Sequence, residues 1–200
     1  MPLGFPSHQG LLAPLWRRWP AGIAVLGLWV GAIVPDLVDG TENLIVRGRF
    51  EQWIGHSLLG ATVVGVPVGL ALTALLRRAA RRLAAPAATG AGPWWRTAAA
   101  YVVAIDHRRG AWLPDLGRDA LAVWIGALSH VLFDLLSHEH SRLCWPFAAD
   151  PDWFGAWWRA VWLRVSAPGY PDYPIGPHFV GWLLLSGLGI WMFCRFRPRP

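Results

Sequence analysis

At 200 residues the chain is the size of a single domain. Apolar residues make up 54% of it and charged residues only 15%, with 15 tryptophans, which excludes an ordinary soluble domain and points to a membrane protein with aromatic interface belts. The formal charge of +6 is carried by arginine alone, in short clusters beside apolar runs, so the extended basic surface of a nucleic-acid binder is missing and no nucleic-acid partner is expected.

Ser7 to Trp19 predicts a short first helix, with Ser7 as N-cap beside His8, an interruption at Pro14 and a WRRW end. A helix of about 12 residues rises only about 18 Å, against about 30 Å of hydrocarbon, so it enters the bilayer part-way. Pro20 suits the next helix start, and the run AGIAVLGLWVGAIV stops at Pro35-Asp36, where proline disfavours helix in the residue before it. This run too is short and needs tilt or local thinning. Asp36 to Gly55 reads as a polar loop with at most one short helix. His56-Ser57 then opens the clearest span, His56 to Leu76, with Pro67 inside it and the cluster RRAARR at its end. Ala84 to Pro93 reads as a linker. Trp94 to Asp106 is either a surface helix or a further inserted segment. After a polar connection, Asp119 is expected to cap a central helix reaching about His138. Cys144 to Trp162 reads as an amphipathic aromatic segment at the interface, followed by a Pro/Gly/Tyr loop from Pro168 to Pro177. His178 to Cys194 is the last span, closed by RFRPRP. Cys144 and Cys194 make no metal or redox spacing, and no cleavable signal peptide is expected.

The predicted fold is therefore all-α: a polytopic membrane helix bundle with about four to five inserted helices plus amphipathic interface helices. It forms one domain over residues 1–200, with a helical core in 1–140 and a Trp-rich segment and last helix in 141–200. With alternating helix directions, thirteen arginines fall on one side and five on the other, while eight of the acids fall on the second side. By the positive-inside rule the arginine-rich side, including the C-terminus, is cytoplasmic. The same alternation brings His8, Asp36, His56, Asp134 and His138 towards the opposite face.

In GALSHVLFDLLSHEHS (Gly126 to Ser141), His130, Asp134 and His138 recur every four residues on one side of an apolar helix. An acid in the middle of such a helix is a functional residue by default, because a buried charge needs a partner or a proton. Histidine nitrogen with carboxylate oxygen is the usual donor set of a catalytic zinc or related ion. His130 and Asp134, one turn apart, can share an ion, and Asp36 and His56 can close the set from adjacent helix ends. His138 lies about 12 Å further along the axis from His130, too far to share its ion. It is left as a second-ion or rim residue, and His8 is open to a second ion or to orienting water. Each residue also has a structural reading. His56-Ser57 can be a capping pair, His8 an interface residue and Asp36 a helix terminator. His178 is a weaker candidate, and His107 and His140 read as surface residues.

The blocks PSHQGLLAPL, GAIVPDL, GHSLLG and GALSHVLFDLLSH, in that order, resemble the bacterial membrane proteins of domain-of-unknown-function family 4184. Their order is also similar to a wider group of membrane-bound proteins classed as metal-dependent hydrolases. More distantly it is similar to the all-helical zinc-dependent phospholipase C and single-strand nuclease fold, whose members hydrolyse phosphate esters. The resemblance covers residues 1–140 in separated blocks. It implies metal roles for His8, Asp36, His56, His130 and Asp134, and implies one more weakly for His138. The chain departs from the hydrolase group at Gln52-Trp53-Ile54-Gly55, where that group often has Arg-Gly-x-Thr. That group also often has a second acid soon after its Pro-Asp, and the sequence leaves open whether Asp39 is its counterpart.

The functional expectation is a membrane-bound hydrolase of the bacterial inner membrane, holding a divalent metal, zinc above others, on the extracytoplasmic side. There it would act on a phosphoester or lipid head group. The rival is a non-enzymatic membrane protein whose His/Asp network passes ions or protons or simply holds helices together.

Overall fold

The computed structural model describes residues 4–18, 24–42, 54–84, 94–106, 112–136, 142–147, 154–166 and 173–196. The helices are α1 (Gly4–Leu11), α2 (Ala13–Arg18), α3 (Val25–Gly31), α4 (Val34–Glu42), α5 (Leu58–Gly60), α6 (Val66–Ala84), α7 (Trp94–Asp106), α8 (Trp112–Leu135) and α9 (Pro177–Phe196). A π-helical turn, Ala61–Gly65, joins α5 to α6 into one continuous helix. The all-α class holds. The described residues add one small antiparallel pair, β1 (Leu163–Val165) with β2 (Tyr173–Ile175), in the Leu163–Ile175 register.

Three helices are long and apolar enough to cross a membrane: Leu58–Ala84, Leu116–Leu135 and Pro177–Phe196. The other apolar runs are broken into pairs too short to span. Leu12 interrupts α1–α2, and the turn at Ala32-Ile33 interrupts α3–α4. Both breaks precede a proline, Pro14 and Pro35, which fits the first turn of a helix but not its interior. Asp36 therefore does not terminate a helix, as one structural reading had it. It sits in the first turn of α4, which continues to Glu42. Pro67 cannot donate to the carbonyl four residues back, at Val63 within the π turn, which ends at Gly65.

Other sequence-based boundaries also shift. Ser7 is inside α1, not at its cap, and its hydroxyl donates to the Ser186 carbonyl of α9 at 3.3 Å. The arginine cluster does not end the span predicted from His56 to Leu76, since α6 runs through it to Ala84. Arginine is a good helix former, so a change in polarity there is not a change in backbone. Asp119 is not a cap either. It lies within α8, buried, and takes a bidentate bond from Arg77 (Nη1–Oδ2 2.5 Å, Nη2–Oδ1 2.8 Å). The described parts of the Trp-rich stretch, residues 144–147 and 154–162, form turns and bends, and β1 follows directly after them. His178 caps that region from α9, with Nε2 3.1 Å from the Pro174 carbonyl and Nδ1 3.3 Å from that of Trp158.

Two close helix crossings position the site. In α1 against α9, a Cβ on Gly10 would fall 1.7 Å from the Gly189 carbonyl oxygen, and one on Gly189 would fall 2.2 Å from that of Ser7. In α3 against α8, a Cβ on Gly31 would meet the Val123 carbonyl oxygen at 2.2 Å, and one on Gly126 that of Leu28 at 2.3 Å. Glycine at these points lets backbones approach as they do in membrane bundles. Leu12, Ala13, Trp16, Leu28, Trp29 and Ala122 fill the core between the crossings. The Thr62–Trp124 and Arg77–Asp119 contacts, taken in order, set the first long span antiparallel to α8, so the start of the first meets the end of the second.

Candidate metal centre

At that meeting point lie His56, two residues before the first span, and His130 and Asp134, in the last two turns of the second. Asp36 comes from the first turn of α4, and His8 from α1. The five residues that the sequence put forward as metal candidates are thus brought to one place. His138 lies outside the described residues. His178 is held at the hairpin and belongs to no donor group.

Local structure explains each placement. Ser57 is the N-cap of α5: its hydroxyl accepts from the Gly60 amide at 2.9 Å and donates to the Ile54 carbonyl at 2.9 Å. The capping reading of His56-Ser57 therefore holds for the serine, which frees the histidine to point inward. His130 follows Gly126 by one turn of α8. Its Nδ1 is 2.8 Å from the Ala32 carbonyl, which lies in the turn just before the first hydrogen bond of α4. A carbonyl only accepts, so Nδ1 carries the hydrogen and Nε2 offers a lone pair. In His56, Nδ1 lies 2.6 Å from Asp39 Oδ2, which leaves Nε2 free in the same sense.

The two Nε2 atoms face each other at 3.2 Å. Asp36 Oδ1 is 3.5 Å from His56 Nε2 and 3.4 Å from His130 Nε2. Asp134 Oδ2 is 3.1 Å from His56 Nε2 and 3.6 Å from His130 Nε2. Donors about 2.0–2.1 Å from a tetrahedral ion stand about 3.3 Å apart, and all five separations fall close to that spacing. His130 also belongs to a second group, with His8 and Asp134, whose donor atoms lie within 4.8 Å of one another. His8 is fully buried and stacks on His130 with ring centroids 4.1 Å apart. Among the described residues neither of its ring nitrogens has a hydrogen-bond partner, and Asp36 Oδ1 also lacks one of good geometry. Buried polar atoms are seldom left so, and here they face a cluster of metal-type donors. The residues present therefore fit a divalent ion in both chemistry and spacing.

The electrostatics are strongly perturbed. Burial works against a charged His56, but hydrogen bonds with Asp134, Asp36 and Asp39 and the charge of Asp134 outweigh it and hold the imidazole well above its ordinary range. Burial likewise works against the Asp36 carboxylate, but its interactions with His130 and His56, and their charges, hold it well below the ordinary range. Burial, aided by His130, pushes His8 down to about 3, so its ring is neutral. Asp36 is the most open of the four donors that face one another, with 22% of its side chain exposed against 3% or less for the others.

The sequence left open whether Asp39 has a part in the centre, and the structure brings it against His56. It is buried, and besides His56 it binds the Gly55 amide at 2.6 Å through Oδ1. Its spacing of three from Asp36 on α4 puts both acids on one helix face, and that was the available signal.

The fold and the cluster define a helical protein with membrane-length apolar helices and a buried His/Asp centre at one end of them. A family model described as a domain of unknown function, DUF4184, matches residues 1–149, and the chain belongs to that family. The match contains all the residues of the centre. No curated protein and no solved structure matches the chain.

Proposed function

We propose that this chain is a membrane-bound, divalent-metal-dependent hydrolase of the bacterial inner membrane. Zinc is its ion and a phosphoester, such as a lipid head group, is its substrate. The observation that carries this reading is the convergence of His56 Nε2, His130 Nε2, Asp36 and Asp134 from three helix ends, with each imidazole's other nitrogen already held. Asp36 and Asp134 supply negative charge opposite a divalent cation, and the two histidines are oriented to donate from Nε2. A bound divalent ion supplies Lewis-acid polarisation of an ester oxygen and lowers the pKa of water near it. Neutral His8, stacked beside the donors, has one N–H to give and one lone pair, and serves to orient water or the ester. Asp36 stands on the accessible side, where substrate enters. The centre lies within about two turns of the end of the Leu116–Leu135 span, at head-group depth. The positive-inside rule puts that end outside the cytoplasm, with the spans multi-pass and the C-terminus inside.

The test is metal content. Protein purified in detergent is expected to carry close to one divalent ion, and Asp134→Asn and His56→Ala to lose it. Loaded protein is expected to cleave a phosphodiester that the two variants leave intact. A wild type that holds no metal, even after incubation with zinc or manganese, refutes the hydrolase reading. It would leave the cluster as a proton-sharing or helix-holding network.

A further inference from the structure

Asp39 bridges helix α4 and the segment that carries His56. Oδ1 accepts from the Gly55 amide at 2.6 Å and Oδ2 lies 2.6 Å from His56 Nδ1. The loop that carries His56 passes so close to α4 that a Cβ on Gly55 would stand 2.4 Å from the Pro35 carbonyl oxygen and 2.9 Å from Asp39 Oδ1. One turn earlier on the same helix, Asp36 faces His56 Nε2 on the far side of the ring. Helix α4 thus presents one carboxylate to each nitrogen of a single imidazole.

We propose that Asp39 is the positioning residue of the metal centre: it holds the Nδ1 hydrogen of His56 and so aims the Nε2 lone pair at the ion. This rests on the metal-centre reading above. A carboxylate does both jobs because both its oxygens accept. An asparagine cannot. With its single oxygen kept on the Gly55 amide, its NH2 group faces Nδ1, which must then accept, and the ring hydrogen moves to Nε2 where it blocks ligation. Outer carboxylates of this kind typically account for about 10–100-fold in metal affinity.

The experiment compares wild type and Asp39→Asn in detergent by competition of zinc against a chromophoric chelator and by visible spectra of the cobalt-loaded forms. The expected result is about 10–100-fold weaker zinc binding in Asp39→Asn. An altered cobalt spectrum and unchanged helix content by circular dichroism should accompany it. Equal affinity and an identical spectrum would overturn the proposal. Since Asp39→Asn can fail to fold, the wild type supplies a second measurement. With zinc bound and histidine labelled with 15N, His56 should show a hydrogen on Nδ1 and metal on Nε2, and ligation through Nδ1 would also overturn it. Absence of metal from wild type refutes the hydrolase reading and this proposal with it. Metal in wild type with no loss in the variant refutes this proposal alone.

Discussion

His56 is the residue on which the charge balance of the centre turns. Three carboxylates surround it, and their attraction outweighs burial, so its folded-state pKa is well above the ordinary 6.5, while that of Asp36 is below the ordinary 3.8. A raised histidine contributes stability that is complete below its unfolded value and is lost as pH rises through its folded value. A lowered carboxylate contributes stability that is complete above its unfolded value and is lost as pH falls. Buried His8, with its pKa lowered to about 3, adds a loss of stability as pH falls below its unfolded value. Metal-free protein is therefore expected to be most stable at about pH 6.5, to weaken as pH falls because His8 and then Asp36 take up protons on unfolding, and to weaken as pH rises because His56 gives one up. His56→Ala should lack the alkaline decline. If zinc binds as proposed, it would replace the His56 proton, so its affinity should rise with pH and about one proton per ion should be released near neutrality, measurable by titration in buffers of different ionisation enthalpy. Among these residues His130 and Asp134 were legible from the sequence alone, because a histidine and an acid one turn apart on an apolar helix must be partnered where they are buried. The role of Asp39 was not, because its spacing of three from Asp36 shows only a shared helix face, while the partner that gives it a role, His56, lies 17 residues further along the chain.

Helix packing, not helix propensity, delivers His8 to the centre. Gly10 stands two residues after His8 on α1, where the helix touches the backbone of α9. Gly10→Ala must push α1 away from α9, at a cost on the order of 1–3 kcal/mol for overpacking, and His8 moves with it. The expected result is a lower unfolding temperature and weaker metal retention, though no donor has changed. Gly187, on the same α9, has nothing within 4 Å of an added Cβ. Gly187→Ala should therefore be neutral or stabilising by about 1 kcal/mol, since alanine favours helix. Equal effects of the two substitutions on thermal unfolding would show that the α1–α9 contact is not what sets the site. At this scale the sequence located apolar helices well and their ends poorly. Ser7 and Asp119 look like caps by residue type, yet each is bound across the bundle, to Ser186 and to Arg77. A cap and an interhelical contact use the same short polar side chains, so residue type alone does not separate them.

Among the described residues, charge at the helix termini is unevenly divided between the two ends of the bundle. One end carries Arg17, Arg18, Arg78, Arg81, Arg82 and Arg195 close to the helix termini, and the other carries Asp36 and Asp39 with the His/Asp centre. The described contacts fix this polarity without reference to a membrane. Ser7 meets Ser186 and Trp16 meets Phe196, so α1–α2 run parallel to α9, while Thr62 meets Trp124 and Arg77 meets Asp119, so the first long span opposes α8. Arginines hold an end in the cytoplasm because translocating them is unfavourable. The proposed orientation, with a cytoplasmic C-terminus and an outward-facing centre, rests on that rule and makes its own predictions. In spheroplasts, an impermeant chelator in the medium should strip the metal, and in inverted vesicles it should do so only when trapped inside. A reporter fused after Pro200 should be active in its cytoplasmic form. Neutralising Arg78, Arg81 and Arg82 together, while leaving Arg77 to its bond with Asp119, should weaken that preference and yield a mixed population by reporter activity. Metal protected from the outer chelator, together with an extracytoplasmic reporter, would invert the orientation while leaving the donor geometry untouched. The substrate would then have to be sought among cytoplasmic-leaflet phosphoesters.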